Sequence, residues 1–387
     1  MQKKVLALAV AGALGAPVVA MAQTSTVQLF GTAYVEYSLI DAGTGPAAPF
    51  NDHKDVDMIQ TPGSEIGFKG EEKLGGGLSA WFQCSSTADL RGQSPEGFCS
   101  RNSALGLKGG FGNVYLGRWD TPFKRTISPT NVGGNDTGVW GTAFLLTGGS
   151  TSTLDGSARA TFKRRQANMI SYDSPNFGGF QVMAGYSSTN GGTAATTLVT
   201  GGKARVMSLG AQYSAGPIYV SGGYESHREF GAVGGENDDN GWHVGAAYTW
   251  GPVRFGGQYT RQKLETSATT ESKVTAWHLG VDWRIVGPHG LRAAYTVARD
   301  IKGNSTVGVA GSGATRPAAI TGGLSGETGA DLMQIRYVYT FSKRTEFNFG
   351  YSKLDNDARA SYTLGGAGAS APGNNQDAWA MSMRHRF

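Results

Sequence analysis

Apolar and polar residues alternate with a period of two in short segments that recur to the end of the chain. In the last of them Trp379, Met381, Met383 and Phe387 share one face, while Ala378, Ala380, Ser382, Arg384 and Arg386 share the other. Residues 274–284 repeat the pattern, with Trp277, Leu279, Val281 and Trp283 against Ala276, His278, Gly280, Asp282 and Arg284. Residues 241–250 set Trp242, Val244, Ala246, Tyr248 and Trp250 against His243, Gly245, Ala247 and Thr249. Residues 331–341 set Met333, Ile335, Tyr337, Tyr339 and Phe341 against Gln334, Arg336, Val338 and Thr340. Successive side chains of a β-strand point to opposite sides, so each segment predicts a strand with one apolar face and one polar or small face.

Two kinds of connection alternate between the segments. Short ones rich in Gly, Pro, Asn and Ser carry turn chemistry and fall at 71–77, 109–113, 174–179, 214–217, 250–252, 286–290 and 342–345. Long ones cover 40–61, 85–100, 121–163, 187–203, 227–240, 263–273, 300–330 and 355–376. Seven turns and eight loops join 16 strands, an even number that closes with both ends on one side.

The polar faces decide between a soluble sandwich and a membrane barrel. They carry Arg254, Arg284, Arg292, Arg336, Arg384 and Arg386 among small residues. Aromatic residues gather at strand ends, as girdles do at membrane interfaces. A lipid-facing exterior around a wet interior accounts for both faces, and outward Trp242, Trp277, Trp283, Tyr337 and Trp379 then read as lipid contacts rather than a sugar slide. Composition agrees. Glycine is 60 of 387 residues, against a usual ~7%; only 16% of residues are charged and mean hydropathy is −0.26. After residue 22 no run of 18 apolar residues follows, so no transmembrane helix is expected. The reading is all-β: a transmembrane antiparallel β-barrel of 16 strands, with short periplasmic turns, long outer loops, and one domain over 23–387. About 16 strands leave an aqueous lumen, whereas eight would be filled by side chains.

The first 22 residues read as a secretory signal peptide. Lys3 and Lys4 precede the uncharged run Val5–Ala16, Pro17 breaks it, and Ala20-Met21-Ala22 supplies small residues for cleavage before Gln23. The run is too short to span a bilayer. Without the two lysines, 32 basic residues stand against 29 acidic, a mild +3. No basic cluster interleaves with aromatics, so nucleic acid is not an expected partner. Cys84 and Cys99 are the two cysteines of an exported chain, which predicts a disulfide. Closing its short loop contributes about 3 kcal/mol in the chain-entropy model. A metal site is poorly supported, because neither cysteine has a His or Cys partner at ligand spacing.

The motifs point further. Val27-Gln-Leu-Phe-Gly31, residues 67–78 (Gly-Phe-Lys-Gly-Glu-Glu-Lys-Leu-Gly-Gly-Gly-Leu), Arg101-Asn-Ser-Ala-Leu-Gly-Leu107, residues 111–118 (Phe-Gly-Asn-Val-Tyr-Leu-Gly-Arg) and residues 168–180 (Asn-Met-Ile-Ser-Tyr-Asp-Ser-Pro-Asn-Phe-Gly-Gly-Phe) stand in series. Together they resemble the general porins of β-proteobacteria, a trimeric 16-stranded family, from about residue 24 to the end. The resemblance implies a water-filled channel for passive diffusion of small hydrophilic solutes and ions, with mild anion preference and no cofactor or chemical step. It implies a homotrimer in outer-membrane lipid and lipopolysaccharide. Phe387 resembles the signal read by the barrel assembly machinery.

The family also implies that the third outer loop folds into the lumen. Residues 121–163 form the longest loop, and long loops are usually functional. Within it Val132-Gly-Gly-Asn-Asp-Thr-Gly138 is small and polar enough to lie in a pore, with Asp136 as its acidic wall residue. Opposite, the family places basic side chains. Arg101 sits at the arginine position of the fourth strand and Arg165 at that of the sixth, with Arg118, Lys124 and Arg125 around the start of the loop. Fixed positive charge in a narrow, low-dielectric channel attracts anions. One departure stands out: in Gly63-Ser-Glu65-Ile-Gly-Phe68, Glu65 occupies a position where the family has a lumen arginine. That is a change of two charge units, which pairing with a neighbouring arginine would mask.

Three rivals remain. An outer-membrane hydrolase needs a nucleophile, a base and an orienting group together. The histidines, His53, His227, His243, His278, His289 and His385, are scattered, only His243 and His278 read as lumen-facing, and neither Gly-x-Ser-x-Gly nor His-Glu-x-x-His occurs. An adhesive barrel would favour a plug domain, and no segment supplies one. A substrate-specific porin stays open for anionic solutes, given the inward arginines.

Overall fold

The computed structural model describes residues 26–41, 43, 55–92, 97–148, 150–151, 161–188, 205–229, 238–265, 269–305, 326–365 and 371–387. The signal peptide expected at 1–22 lies outside them. Eighteen hydrogen-bonded segments close on themselves as sixteen staves, and a nineteenth, Ser150–Thr151 of the third loop, pairs in parallel with Lys163 and Arg164. The staves are β1 (Thr26–Asp41), β2 (Val56–Gln60 with Glu65–Gly75), β3 (Leu78–Thr87), β4 (Ser103–Gly109), β5 (Gly112–Asp120), β6 (Lys163–Asp173), β7 (Phe180–Ser188) and β8 (Arg205–Ala215). Then follow β9 (Ile218–Arg228), β10 (Asp238–Trp250), β11 (Val253–Glu265), β12 (Glu271–Val286), β13 (His289–Ala298 with Lys302–Gly303), β14 (Ala330–Thr340), β15 (Thr345–Asn356) and β16 (Gln376–Arg386). Every neighbouring pair of staves is antiparallel, and β1 closes on β16 from Thr32↔Arg386 to Asp41↔Asp377. Phe387 extends that seam, exchanging backbone hydrogen bonds with Gly31.

The expected faces are the observed ones. Val244, Tyr248, Leu279, Trp283, Met333, Ile335, Trp379 and Met381 point outward and are exposed, while their inward neighbours are small, polar or charged. The sheet runs without a helix that could cross a bilayer among the described residues.

Inside the barrel the chain leaves β5 and enters the lumen. Helix α1 (Pro122–Ile127) starts with proline after Thr121, whose side chain accepts from the Lys124 amide, a standard N-terminal arrangement. A 3-10 turn (Ser128–Thr130) follows, then α2 (Ala143–Thr147), which ends on left-handed Gly148. The wall is cut away to seat this path. A Cβ on Gly280 would lie 1.7 Å from the Val132 carbonyl oxygen, and one on Gly256 would lie 2.3 Å from Val132 Cγ2. Gly245 and Gly223 similarly admit Thr130 and Thr126. Inward glycine is therefore a packing requirement, one reason the chain holds so much of it.

The lumen is drier than its polar faces suggest. Val139, Trp140, Leu145 and Leu146 of the third loop join Tyr362 and Leu364 of the last loop in one buried cluster. Inward Ile40, Leu332, Leu354, Ala276 and Ala298 complete it. Each large side chain so buried contributes roughly 1.5–3 kcal/mol. This apolar stretch, unpatterned in sequence, fastens the loop against the outer half of the wall.

The disulfide forms between Cys84 and Cys99, with Cα atoms 4.8 Å apart. Cys84 faces outward, in register with exposed Phe68. The bond, with a Cys99 amide to Ser86 Oγ hydrogen bond of 2.9 Å, thus holds the second loop against the outside of the barrel.

Two outcomes follow. Thiol labelling of unreduced, folded protein modifies neither cysteine, and reduction lowers unfolding free energy by about 3 kcal/mol in denaturant titration. Gly280→Ala destabilises the barrel by about 1–3 kcal/mol through overpacking, whereas outward Gly222→Ala, whose Cβ has 3.4 Å of clearance, stays within about 0.5 kcal/mol of the parent.

Candidate functional site

The third loop crosses the lumen along the inside of β7 to β14 and reaches β1, and wall side chains satisfy its backbone. Ser208 Oγ accepts from the Phe123 amide at 3.0 Å on β8, and Ser221 Oγ donates to the Thr126 carbonyl at 2.7 Å on β9. His243 contacts Thr126 Oγ1 at 2.9 Å, and His278 Nε2 lies 2.9 Å from the Val132 carbonyl. Thr260 and Gln262 both donate to the Leu146 carbonyl. Farther round, Arg336 donates to Asn135 Oδ1 at 3.2 Å and stacks over Trp140, 5.0 Å from its ring centre. Glu36 accepts from the Val139 amide at 2.9 Å and from Tyr34 Oη at 2.8 Å.

His243 and His278 do face inward, as expected, but both are buried beneath the loop. His227 corrects the sequence reading: it lies within β9, not in a loop, and its ring stacks on Phe162 at 4.5 Å. The strand continues farther than its alternation suggested because Phe162 of the third loop covers its inner side.

At the root of the loop, charges meet in close pairs. Lys124 Nζ lies 2.9 Å and Arg165 Nε 3.2 Å from the same Asp120 oxygen. Asn102 bridges them, accepting from Arg165 at 2.8 Å and donating to Asp120 at 3.0 Å. Asp136 pairs with Lys163. Burial pushes the Lys124 ammonium below its ordinary range, with Asp120 opposing and Arg165 adding to the shift. Burial alone would raise the Asp136 carboxyl, but Lys163 and Lys124 outweigh it and hold it below the ordinary carboxylate range. Arg125 turns away from the passage, to a bidentate pair with Asp173 at 2.6 and 2.9 Å and a 2.8 Å bond to Tyr115 Oη.

Glu65 and Arg101 answer one question raised by the sequence. Arg101 Nε lies 2.9 Å from Glu65 Oε2, which also accepts from Ser85 Oγ at 2.8 Å. The departure from the family pattern is thus neutralised locally by the wall arginine beside it. Arg118 is the second correction. It pairs in register with Ser103, and its parity is that of exposed Leu116, so it points outward. Its nearness to the loop in sequence misled, because the alternation of β5 puts Asn113, Tyr115 and Trp119 on the lumen side and Leu116 and Arg118 on the other.

Between loop and wall a cavity of about 330 Å³ remains. Ser128, Asn131, Asn135, Asp136 and Thr137 line it on the loop side, and Thr32, Tyr34, Arg384 and Arg386 on the wall side. Arg384 stacks over Tyr34, 4.6 Å from its ring centre, and pairs with Glu346 at 3.2 Å. Toward the short turns a second space of about 480 Å³ is lined by Arg284, Arg292, Lys343, Arg344 and Arg386 against Asp282 and Glu346. The arginines of β13 to β16 were visible as a polar face, but their approach to the loop needed the loop's path.

A closed barrel with its third loop seated in the lumen defines an outer-membrane channel architecture. The family model of the Gram-negative porins matches residues 7–359, and the chain belongs to that family, whose members are outer-membrane proteins. It is 31% identical to outer membrane porin protein 32 of Delftia acidovorans over 61% of this chain and 62% of that protein. It is 29% identical to the major outer membrane protein P.IB of Neisseria gonorrhoeae over 48% of each, so the chain spans about half the length of the first curated relatives it matches. The anion-selective porin from Comamonas acidovorans shares the fold, with a TM-score of 0.71 and 24% identity over 94% of this chain and 100% of that one.

Removing one partner of the Glu65–Arg101 pair shifts the local charge by one unit in opposite directions. Glu65→Gln moves the reversal potential in a KCl gradient toward chloride and Arg101→Gln moves it toward potassium, each by about twofold in permeability ratio, the Coulomb effect of one charge ~8 Å away in water. The Asp136 carboxyl is held low, so its anchoring of the loop is present above the unfolded carboxylate value and is lost as pH falls through the depressed folded value. Limited proteolysis of the loop is accordingly unchanged between about pH 7 and 5 and rises only below the ordinary aspartate range near ~3.9.

Proposed function

We propose that this protein is a passive diffusion channel for small hydrophilic solutes and ions with a mild preference for anions. The observation that carries the reading is the passage beside the third loop, where Arg384 and Arg386 face a single loop carboxylate, Asp136, already engaged by Lys163. Fixed cations on a low-dielectric wall raise the local anion concentration. Arg165, Lys124 and Arg101 belong to the same constriction, but each shares a carboxylate, so they set its shape and dipole more than its net charge.

The working unit in this reading is a homotrimer in outer-membrane lipid and lipopolysaccharide, and the support is the family resemblance. Insertion by the barrel assembly machinery uses Phe387, whose backbone pairing to Gly31 joins the two edge staves.

The test is the reversal potential across a planar bilayer in a KCl gradient, for the parent, Arg165→Ala and the double variant Arg384→Ala with Arg386→Ala. A chloride-preferring parent whose preference drops at least about twofold in the double variant, and less in Arg165→Ala, supports the reading. A cation-preferring or unselective parent keeps the channel and moves control to Glu65 and Asp136. Absence of conductance from verified folded protein overturns it and favours an adhesive barrel.

A further inference from the structure

Trp81 and Trp119 face the lumen rather than lipid. Trp81 of β3 has the parity of Gln83 and the opposite parity to exposed, outward Phe82. Trp119 of β5 lies 5.6 Å from it, ring centre to ring centre, and Tyr115 stands 5.5 Å from the first and 5.3 Å from the second. The rings of Phe123, Trp140 and Phe162 are buried with the third loop, whereas Trp81 and Trp119 are only half-buried. An indole left open to a wet lumen forgoes part of the free energy of burial, which an occupant covering it recovers.

The wall is shaped around the Trp81 ring. Beneath it is Gly106 of β4, where a Cβ would lie 2.6 Å from Trp81 Cε2 and Nε1, so the indole rests on bare backbone. Trp81 Nε1 donates to Asn113 Oδ1 at 2.7 Å, which satisfies the polar atom of the ring and fixes its orientation. Beside the ring is a cavity of about 380 Å³, lined by Gln28, Lys69, Glu71, Trp81, Gln83 and Lys108. Trp81 is the fourth residue of β3 and Lys108 the last but one of β4, so the cavity lies toward the short turns, on the far side of the constriction from the long loops. Trp119 leads to it from Asp120, where the third loop is rooted.

The charges of the cavity do not cancel. Both Glu71 oxygens are engaged, one by Lys73 at 2.6 Å and the other by Lys108 at 2.5 Å. Lys69 is exposed, stands 5.3 Å from the Phe30 ring centre and has no carboxylate paired to it among the described residues. An apolar ring face beside one uncompensated cation matches a planar ring that carries a carboxylate. Stacking of ring on ring adds to plain area burial, and an ammonium meets a carboxylate as a point charge. A saturated ring of the same charge keeps the second contact and loses the first.

We propose that this cavity is a binding subsite for small aromatic carboxylates of the benzoate kind, with the ring on Trp81 and the carboxylate on Lys69. It gives the channel a solute class that charge alone does not select. The proposal rests on the reading of the protein as a diffusion channel, but its occupancy is measured without conduction.

Saturation-transfer NMR of the purified full barrel in detergent, titrated with benzoate and with cyclohexanecarboxylate, tests it. Heat-modifiable gel mobility verifies folding of each variant. The parent binds benzoate saturably and about two- to tenfold more tightly than the saturated acid, the range that aromatic pairing supplies. Trp81→Leu removes that difference, and Trp81→Phe restores part of it. Lys69→Gln weakens both acids by up to about fivefold, as loss of a solvent-exposed ion pair implies. Trp379→Leu, a change on the outward face, leaves benzoate binding intact and so excludes a contribution from the detergent belt. Equal affinity of the two acids for the parent, or benzoate binding that Trp81→Leu does not weaken, overturns the proposal. Equal binding of neutral benzamide overturns the carboxylate assignment, and Trp81-dependent binding of glucose tighter than that of benzoate gives the cavity to a carbohydrate instead. Conductance without benzoate binding sinks this subsite alone, whereas Trp81-dependent binding without conductance sinks the channel reading and keeps the site.

Discussion

A backbone amide or carbonyl placed in hydrocarbon must find its partner within the protein, because no water is there to replace it. Closure of the sheet follows. The seam between β1 and β16 pairs ten residues on each strand, from Thr32↔Arg386 to Asp41↔Asp377, and removes the two edges the sheet would otherwise present to lipid. The same constraint acts again inside. The third loop is an irregular backbone pressed against a wall, and its amides and carbonyls lose water on that side. Ser208, Ser221, Gln262, His278 and Glu36 are the partners that compensate. Much of the inward polarity of the barrel is therefore spent on its own loop, and what stays exposed to the passage is the remainder.

That division explains the electrostatics. A charge taken out of water needs a partner close at hand, since desolvation costs several kcal/mol per ion. Where the loop leaves the wall, crowding is greatest and these cations are matched: Lys124 and Arg165 share Asp120, Lys163 holds Asp136, and Arg125 holds Asp173. On the facing wall the space is wider. There Arg292 pairs with Asp282 and shares Glu346 with Arg384, and buried Arg336 is held by Asn135 and the Trp140 ring, with no carboxylate paired to it among the described residues.

The strands were legible in the sequence because lipid imposes a period of two that nothing else in the chain overrides. Sixteen strands, their outward aromatics, the disulfide and the infolded loop all followed from alternation, connection length and family motifs. Legibility failed where a residue's neighbour comes from a distant part of the chain. Glu36 reads as one more polar residue of β1 until Val139, more than a hundred positions away, is brought to it. His227 reads as a loop residue until Phe162 covers it. Arg118 sits beside the loop in sequence and on the other side of the wall in space, because one step along a strand reverses the side a chain faces. The apolar run from Val139 to Leu146 has no period to read, and its burial against Tyr362 and Leu364 joins two loops whose meeting only the closed barrel arranges.

The path of the third loop is written mostly in the wall. The loop has only two short helices, too short to persist alone, and its middle is built of glycine, asparagine and threonine. Its direction comes from the inward glycines of β9 to β12, which open a groove just wide enough for Thr126, Thr130 and Val132 in turn. A side chain at Gly280 would occupy the space of the Val132 carbonyl, so the wall excludes any other course at that height. Pore width is then a property of where the wall lacks side chains. The wall residues Arg384 and Arg386 that face the passage can differ in charge without moving the loop, since neither lies in the groove. Architecture and selectivity are carried by separate sets of inward positions on the same strands.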